Sequence, residues 1–240
     1  MNLPEPLHEA RLIRRYKRFL SDMRLADGRE VVAHCPNPGS MKTCAGADWR
    51  VQISHSTNPR RKLKWTWELA YDDLGHPILI NTSRPNAIVE EAVRAGGIAE
   101  LTGYASVRRE VRYGAEKSRI DLLLSGPDRP DCYVEIKSVT MRSGELGAFP
   151  DSVTKRGQRH LRELTAMVAA GHRAVLFFLL SRGGLRGVRP ADEIDPVYGE
   201  GLRAAASAGV EIIAYQASFG PGTVSVGARV PVILAGGSAS

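Results

Sequence analysis

Asp121, Glu135 and Lys137 are the residues of this 240-residue chain whose types and spacing can do chemistry together. Asp121 is the single carboxylate in an otherwise nearly continuous apolar run, Arg119 to Ser125. Glu135 and Lys137 lie in a second run, Cys132 to Val139, among Tyr133, Val134, Ile136 and Val139. Between the runs, Ser125-Gly-Pro-Asp-Arg-Pro is dense in turn formers, which predicts an antiparallel hairpin. Side chains two apart on a strand share a face, so Glu135 and Lys137 point the same way. The antiparallel pairing then brings Asp121 opposite or diagonal to them. Charges inside apolar strands must be paired or hold a cation. Two carboxylates and an ammonium fit a magnesium-type site. The carboxylates take the ion, which keeps most of its waters, and the lysine orients an attacking water or steadies a phosphoryl oxygen. The same trio also fits a plain salt bridge at a sheet end, and spacing alone leaves both readings open.

The surrounding elements have to place these residues. From Leu7 to about Ser83 the pattern is strand and turn throughout: Leu7–Tyr16, Phe19–Leu25, the hairpin signal Asp27-Gly28, Val31–Ala33, Val51–Ser54, Trp65–Tyr71 and Pro77–Ile80. Short strands in such number predict a small OB-like barrel. Barrels of this kind bind single strands through basic grooves. Arg14, Arg15, Lys17 and Arg18, with Arg61, Lys62 and Lys64, are the candidate nucleic-acid contacts. Trp65 and Trp67 share a face with Leu69 and read better as barrel core than as stacking platforms. Asn81–Asn86 marks the expected boundary between units 1–83 and 84–240.

The second unit starts with a predicted helix over Ala87–Leu101, striped by Ile88, Ala92, Ala95 and Ala99. Glu91, with Glu90 as the other choice, is the helix acid placed nearest a site at the helix–sheet seam. A strand over Ala105–Tyr113 and the hairpin follow, then a polar loop to Asp151 and a helix over Thr154–Ala170 carrying Gln158. Ala174–Leu180 reads as a strand buried on both faces. A helix over Tyr198–Ala208, a strand over Val210–Gln216, a terminal strand near Val230–Leu234 and a disordered tail complete the expectation of an α/β unit with a central mixed sheet.

Composition is that of an ordinary globular protein: 43% hydrophobic and 25% charged. No apolar run approaches a membrane span, and Met1–Ala10 lacks a signal-peptide pattern. Cys35, Cys44 and Cys132 are an odd set without metal-binding spacing, which points to a reducing, cytoplasmic setting rather than a disulfide scaffold. The formal charge is +7 and the pI about 9.5. The first 83 residues carry 13 Lys/Arg against 9 Asp/Glu, so a polyanionic partner is favoured. Partner number is left open.

Several blocks together resemble one family: P-N-P-G-S-M at 36–41, I-N-T-S-R-P-N at 80–86, V-E-E-A-V at 89–93, S-R-I-D at 118–121, Y-V-E-I-K-S-V-T at 133–140 and F-P-D-S-V-T-K-R-G-Q-R-H-L-R-E-L at 149–164. They are similar to the sugar fermentation stimulation protein A (SfsA) family. The order helix–strand–strand–strand–helix–strand resembles the PD-(D/E)XK nuclease superfamily. The resemblance implies an OB-like domain joined to a nuclease-like domain and a DNA-binding protein. The basic first third and the lack of a helix-turn-helix signal point to binding that is mostly sequence-independent. Asp121 and Glu135 would be ligands of Mg2+ or Mn2+ and Lys137 the catalytic lysine. Glu91 (or Glu90) and Gln158 would be helix groups near the site. Ile120 stands where the motif's proline would be. Three functions follow as candidates: phosphodiester hydrolysis, non-catalytic DNA binding in regulation of sugar-metabolism genes, and metal-dependent hydrolysis of a small phosphorylated metabolite or nucleotide.

Overall fold

The computed structural model describes residues 1–116 and 118–235. Lys117 and the tail from 236, both part of the sequence reading, lie outside the described residues.

Six strands build the first unit: β1 (Leu7–Tyr16), β2 (Leu20–Leu25), β3 (Glu30–His34), β4 (Arg50–His55), β5 (Trp65–Tyr71) and β6 (Pro77–Leu79). They hydrogen-bond in the order β3-β2-β1-β4-β5-β6, and β3 also pairs with β5, which closes a five-stranded barrel. The turn joining β1 to β2 spans Lys17 to Phe19 between the paired Tyr16 and Leu20, with Lys17 and Arg18 at positive φ. Leu12, Met23, Val51, Ile53 and Trp67 fill the barrel. Trp65 packs half-buried at its edge against the rings of His8 and His55, so of the two tryptophans Trp67 is core and Trp65 lies at the rim. Leu69 instead joins a second core, since a register shift in the β4–β5 pairing intervenes.

The second unit is a six-stranded mixed sheet between helices. Its elements are α1 (Pro85–Arg94), β7 (Ser106–Tyr113), β8 (Ser118–Gly126), β9 (Arg129–Val139), β10 (Arg142–Ser143), β11 (Leu146–Phe149), α2 (Lys155–Ala169), β12 (Arg173–Leu180), β13 (Val188–Pro190), α3 (Pro196–Ser207), β14 (Glu211–Gly220) and β15 (Thr223–Val230). The order is β15-β14-β12-β9-β8-β7, with β9, β12 and β14 parallel. Ile88, Val89 and Val93 of α1 cover one face. Leu161 and Leu164 of α2 and Tyr198 and Leu202 of α3 cover the other.

Three expectations need correction. The first helix stops at Arg94 rather than Leu101, because Gly96 takes φ +71 and its N–H bonds Val93 O while Gly97 N–H bonds Ala92 O. That pair of bonds satisfies the last carbonyls and ends the helix. Its buried stripe is therefore Pro85, Ile88, Val89 and Val93, and Ala95 and Ala99 are exposed. The loop to Asp151 is not irregular, since β10 and β11 pair there and β13 adds alongside. The last strand is β15, which pairs back on β14 and ends at Val230 rather than starting there.

The barrel and the mixed sheet share packing. Leu3, Leu69 and Leu79 belong to the same core as α1. Arg182, after β12, donates to Asp72 Oδ2 at 2.7 Å, and both are almost fully buried. A second buried carboxylate, Glu68 on β5, receives Ser54 Oγ, Asn81 Nδ2 and the Arg84 guanidinium. This network pins Asn81–Arg84 and so sets where α1 begins. Among the described residues no helix is long and apolar enough to cross a membrane. All three cysteines are buried and unpaired.

Candidate metal and nucleic-acid site

The β8–β9 ladder pairs Leu124 with Cys132, Leu123 with Tyr133 and Leu122 with Val134. One more step would set Asp121 against Glu135, and there the ladder stops. The Asp121 side chain takes over: its Oδ2 accepts from the Ile136 N–H at 2.7 Å. On the other side, β7 pairs Arg109 with Leu122 and Val111 with Ile120, skipping the step between, where Glu110 has φ +52. The facing of β8 changes at this point. Ile120 lies in the core under α2 and α3, yet Leu122, two residues on, lies in the core under α1. Asp121 thus stands where both ladders open. The first turn of α1 supplies its other partner, Asn86 Nδ2, which donates to Oδ1 at 2.7 Å.

Glu135 is 2% exposed. Its Oε1 receives Lys137 Nζ at 2.6 Å and the imidazole Nδ1 of His160 on α2. Arg156 Nε donates to His160 Nε2 at 3.3 Å, which leaves the ring proton on Nδ1, directed at Glu135. Glu135 Oε2 is buried with no partner. Burial drives the Asp121 carboxyl upward, the neighbouring Glu135 adds to this, and together they push it up to about 6. Burial acts the same way on Glu135, but Lys137 and His160 outweigh it and hold that carboxyl below its usual range. Beneath them the phenols of Tyr113 and Tyr198 are raised by burial first and by Glu135 next. The site is a carboxylate pair short of positive charge on the Asp121 side and with one free buried oxygen on the Glu135 side.

A hard divalent ion fits that description. Such ions take oxygen ligands, and Mg2+ commonly uses one or two carboxylates and keeps its waters. Among the described residues no group of three His, Cys, Asp or Glu side chains gathers at metal-binding spacing, so Asp121 and Glu135 are what the chain offers. Lys137 is brought to them, as read. Glu91 is not: its carboxylate is exposed and pairs with the Met1 ammonium at 3.1 Å. Glu90 pairs with Arg94 and Arg109. Gln158 also points elsewhere, its amide donating to both Asp195 oxygens at 2.9 and 3.1 Å beside the start of α3. The helix groups that do reach the site are Asn86 and His160, which the sequence reading passed over. His160 sits in the buried row Gly157, His160, Leu161, Leu164. A polar residue inside such a row was the available signal.

The barrel cations divide. Arg15 donates to the carbonyls of Asn37 and Gly39 and so holds the P-N-P-G-S-M loop. Gly39 is required there, since a Cβ would run into the Asp151 carboxylate, which also receives Ser40 N–H. Arg14 pairs with Asp22, Arg18 reaches Pro38 O, Arg61 donates to Thr66 Oγ1 and Lys64 to Asn58 O. Lys17 and Lys62 have no ion-pair or hydrogen-bond partner among the described residues. Arg15 therefore reads as a loop support, and the others, apart from their bonds, remain on the surface.

An OB-like barrel followed by an α/β domain with a central mixed sheet and a carboxylate–lysine site defines a two-part protein class. Residues 13–80 match the SfsA N-terminal OB domain and residues 83–223 the sugar fermentation stimulation protein RE domain. A sugar fermentation stimulation protein homolog of Geobacter metallireducens is 54% identical over 98% of this chain and 100% of its own. One from Shewanella loihica is 52% identical over 95% and 98%. The solved structure of Pyrococcus furiosus SfsA in complex with Ca2+ superposes with a TM-score of 0.85 at 27% identity, covering 97% of this chain and 99% of that one. The chain belongs to the sugar fermentation stimulation protein family.

Proposed function

We propose that this protein binds DNA, largely irrespective of sequence, and cleaves phosphodiester bonds at Asp121, Glu135 and Lys137 with Mg2+ or Mn2+. The observation that carries the reading is the pairing of two buried carboxylates at the point where the sheet ladders open, one of them with an oxygen left over. A structural salt bridge has no use for that arrangement. The Pyrococcus relative is described in complex with Ca2+, an oxygen-seeking ion of the same class.

In this reading Asp121 and Glu135 are the metal ligands. When bound, the ion polarises the scissile phosphate and lowers the pKa of a bound water. Ile136 N–H and Asn86 hold the Asp121 carboxylate in place. His160 and Lys137 hold Glu135 Oε1, which leaves Oε2 for the ion. Lys137 Nζ, on the same face as Glu135, is positioned to hold the attacking water. Asp121 must lose its proton first, so metal binding strengthens as pH rises through about 6. The OB-like barrel supports the nucleic-acid part of the reading, together with the surplus of basic residues. Glu91 and Gln158 have no part in the chemistry.

Purified protein incubated with single- and double-stranded DNA, with and without Mg2+ or Mn2+, tests this. Metal-dependent cleavage lost in both Asp121→Asn and Lys137→Ala is the expected result. DNA binding with no cleavage under any metal would leave only a regulator-type binding protein.

A further inference from the structure

On the β7–β8 hairpin Arg112 pairs directly with Arg119. Like charges set opposite one another in an antiparallel pair are destabilising. Both side chains are exposed, and neither has an ion pair or a hydrogen bond among the described residues. Their neighbours fix their direction. Val111 and Ile120 on one side, and Tyr113 and Ser118 on the other, face inward, with Ile120 and Tyr113 in the core under α2 and α3. By alternation, Arg112 and Arg119 point to the opposite face, the one that carries α1. Arg119 is two residues from Asp121, and Asn86 at the start of α1 reaches Asp121 from that same face.

Elsewhere the fold answers such crowding. Arg11 on β1 faces Arg24 on one side and Arg50 on the other. Arg11 donates to Asp48 O at 2.9 Å, Arg24 pairs with Glu30, and Arg50 lies 3.6 Å over the Tyr71 ring and near Glu9. Among the described residues, the Arg112–Arg119 pair alone of these facing arginines is left uncompensated, and it is the pair beside the carboxylate site.

We infer that Arg112 and Arg119 form a clamp for the phosphodiester backbone of a nucleic-acid strand next to the bond presented to Asp121 and Glu135. The inference rests on the function proposed above and moves the decisive backbone contact from the barrel clusters to this hairpin. Two guanidiniums held together by a strand pair match adjacent phosphate oxygens on one backbone. Their mutual repulsion is relieved only when the polyanion is present.

The test uses the full chain in EDTA, with fluorescent single- and double-stranded oligonucleotides read by anisotropy at several salt concentrations. R112Q/R119Q is expected to bind at least about tenfold more weakly and to lower the salt slope by about 1.5, the loss of two phosphate contacts. It is also expected to melt no lower than the wild type, because the substitution relieves repulsion. Unchanged affinity in a wild type that does bind overturns the clamp and leaves the proposed function standing. Weaker binding together with a lower melting temperature makes the arginines structural and likewise overturns the clamp. A wild type that binds neither oligonucleotide overturns the DNA-binding proposal itself.

Discussion

Asp121→Asn separates a metal site from a structural bridge most sharply. The aspartate is nearly buried, and its carboxyl is pushed up to about 6, by burial first and by Glu135 second. The unfolded chain releases the same proton near 3.9. Between those values the folded state binds more protons, so the stability this group supplies is present below about pH 4 and is lost as pH rises through about 6. At 1.36 kcal/mol per unit, the loss is about 3 kcal/mol by pH 7. Asparagine does not titrate. Its carbonyl can take the Ile136 N–H, and its amide can face Asn86 once that side chain turns over. The variant should therefore match the wild type near pH 3.5 and exceed it by up to about 3 kcal/mol at pH 7.5, in urea titrations with EDTA. Adding Mg2+ or Mn2+ closes that gap. Metal at a hundredfold over its Kd stabilises the wild type by about 2.7 kcal/mol and the variant not at all. A variant less stable than the wild type at pH 7.5 without metal would mean that Asp121 serves as a structural ion-pair member, and the metal reading fails.

Other substitutions follow from the same contacts. Lys137→Ala keeps both carboxylates, so thermal melts should still rise with metal while DNA cleavage disappears; loss of the metal response would make the lysine a structural partner. Arg182→Ala removes the shortest ion pair of the buried Asp72 carboxylate, which keeps Arg142 at 3.6 Å and the Leu74 and His76 N–H groups, and should cost about 1.5–3 kcal/mol by urea unfolding, whereas a change below about 1 kcal/mol would show that the junction is wet. Glu91→Ala removes an exposed pair with the N-terminal ammonium and should cost less than about 1 kcal/mol, with cleavage and metal response unchanged. Gln158→Ala should lose about 1 kcal/mol with its bonds to Asp195 and leave kcat as it was. A drop in cleavage rate in either variant would return that residue to the site.

The strands were legible because their signals are local. The apolar runs, Asp27-Gly28 and the turn after Ser125 place β1–β5 within a residue or so and the β8–β9 hairpin within three, and the buried run at Ala174 appears as β12. Glu135 and Lys137 share a face for the same local reason, a period of two. What the sequence did not show depends on contacts between distant segments. The end of α1 hangs on whether Gly96 adopts positive φ, and a helix pattern does not reveal that. Glu91 and Gln158 looked suitable because the helices had to approach the site, but which residue faces it depends on how each helix rolls on the sheet. For α1 the answer is Asn86, fixed by the Glu68 network that sets the start of the helix. For α2 it is His160, since the row containing Leu161 and Leu164 faces the sheet. The opening of the ladders at Asp121 is the least readable feature of all. A strict alternation through Ile120, Asp121 and Leu122 would have kept Ile120 and Leu122 in one core. Their division between two cores leaves Asp121 against the edge of the parted β8 and β9, beside Glu135, where a single carboxylate in an apolar strand can be buried and still face an ion.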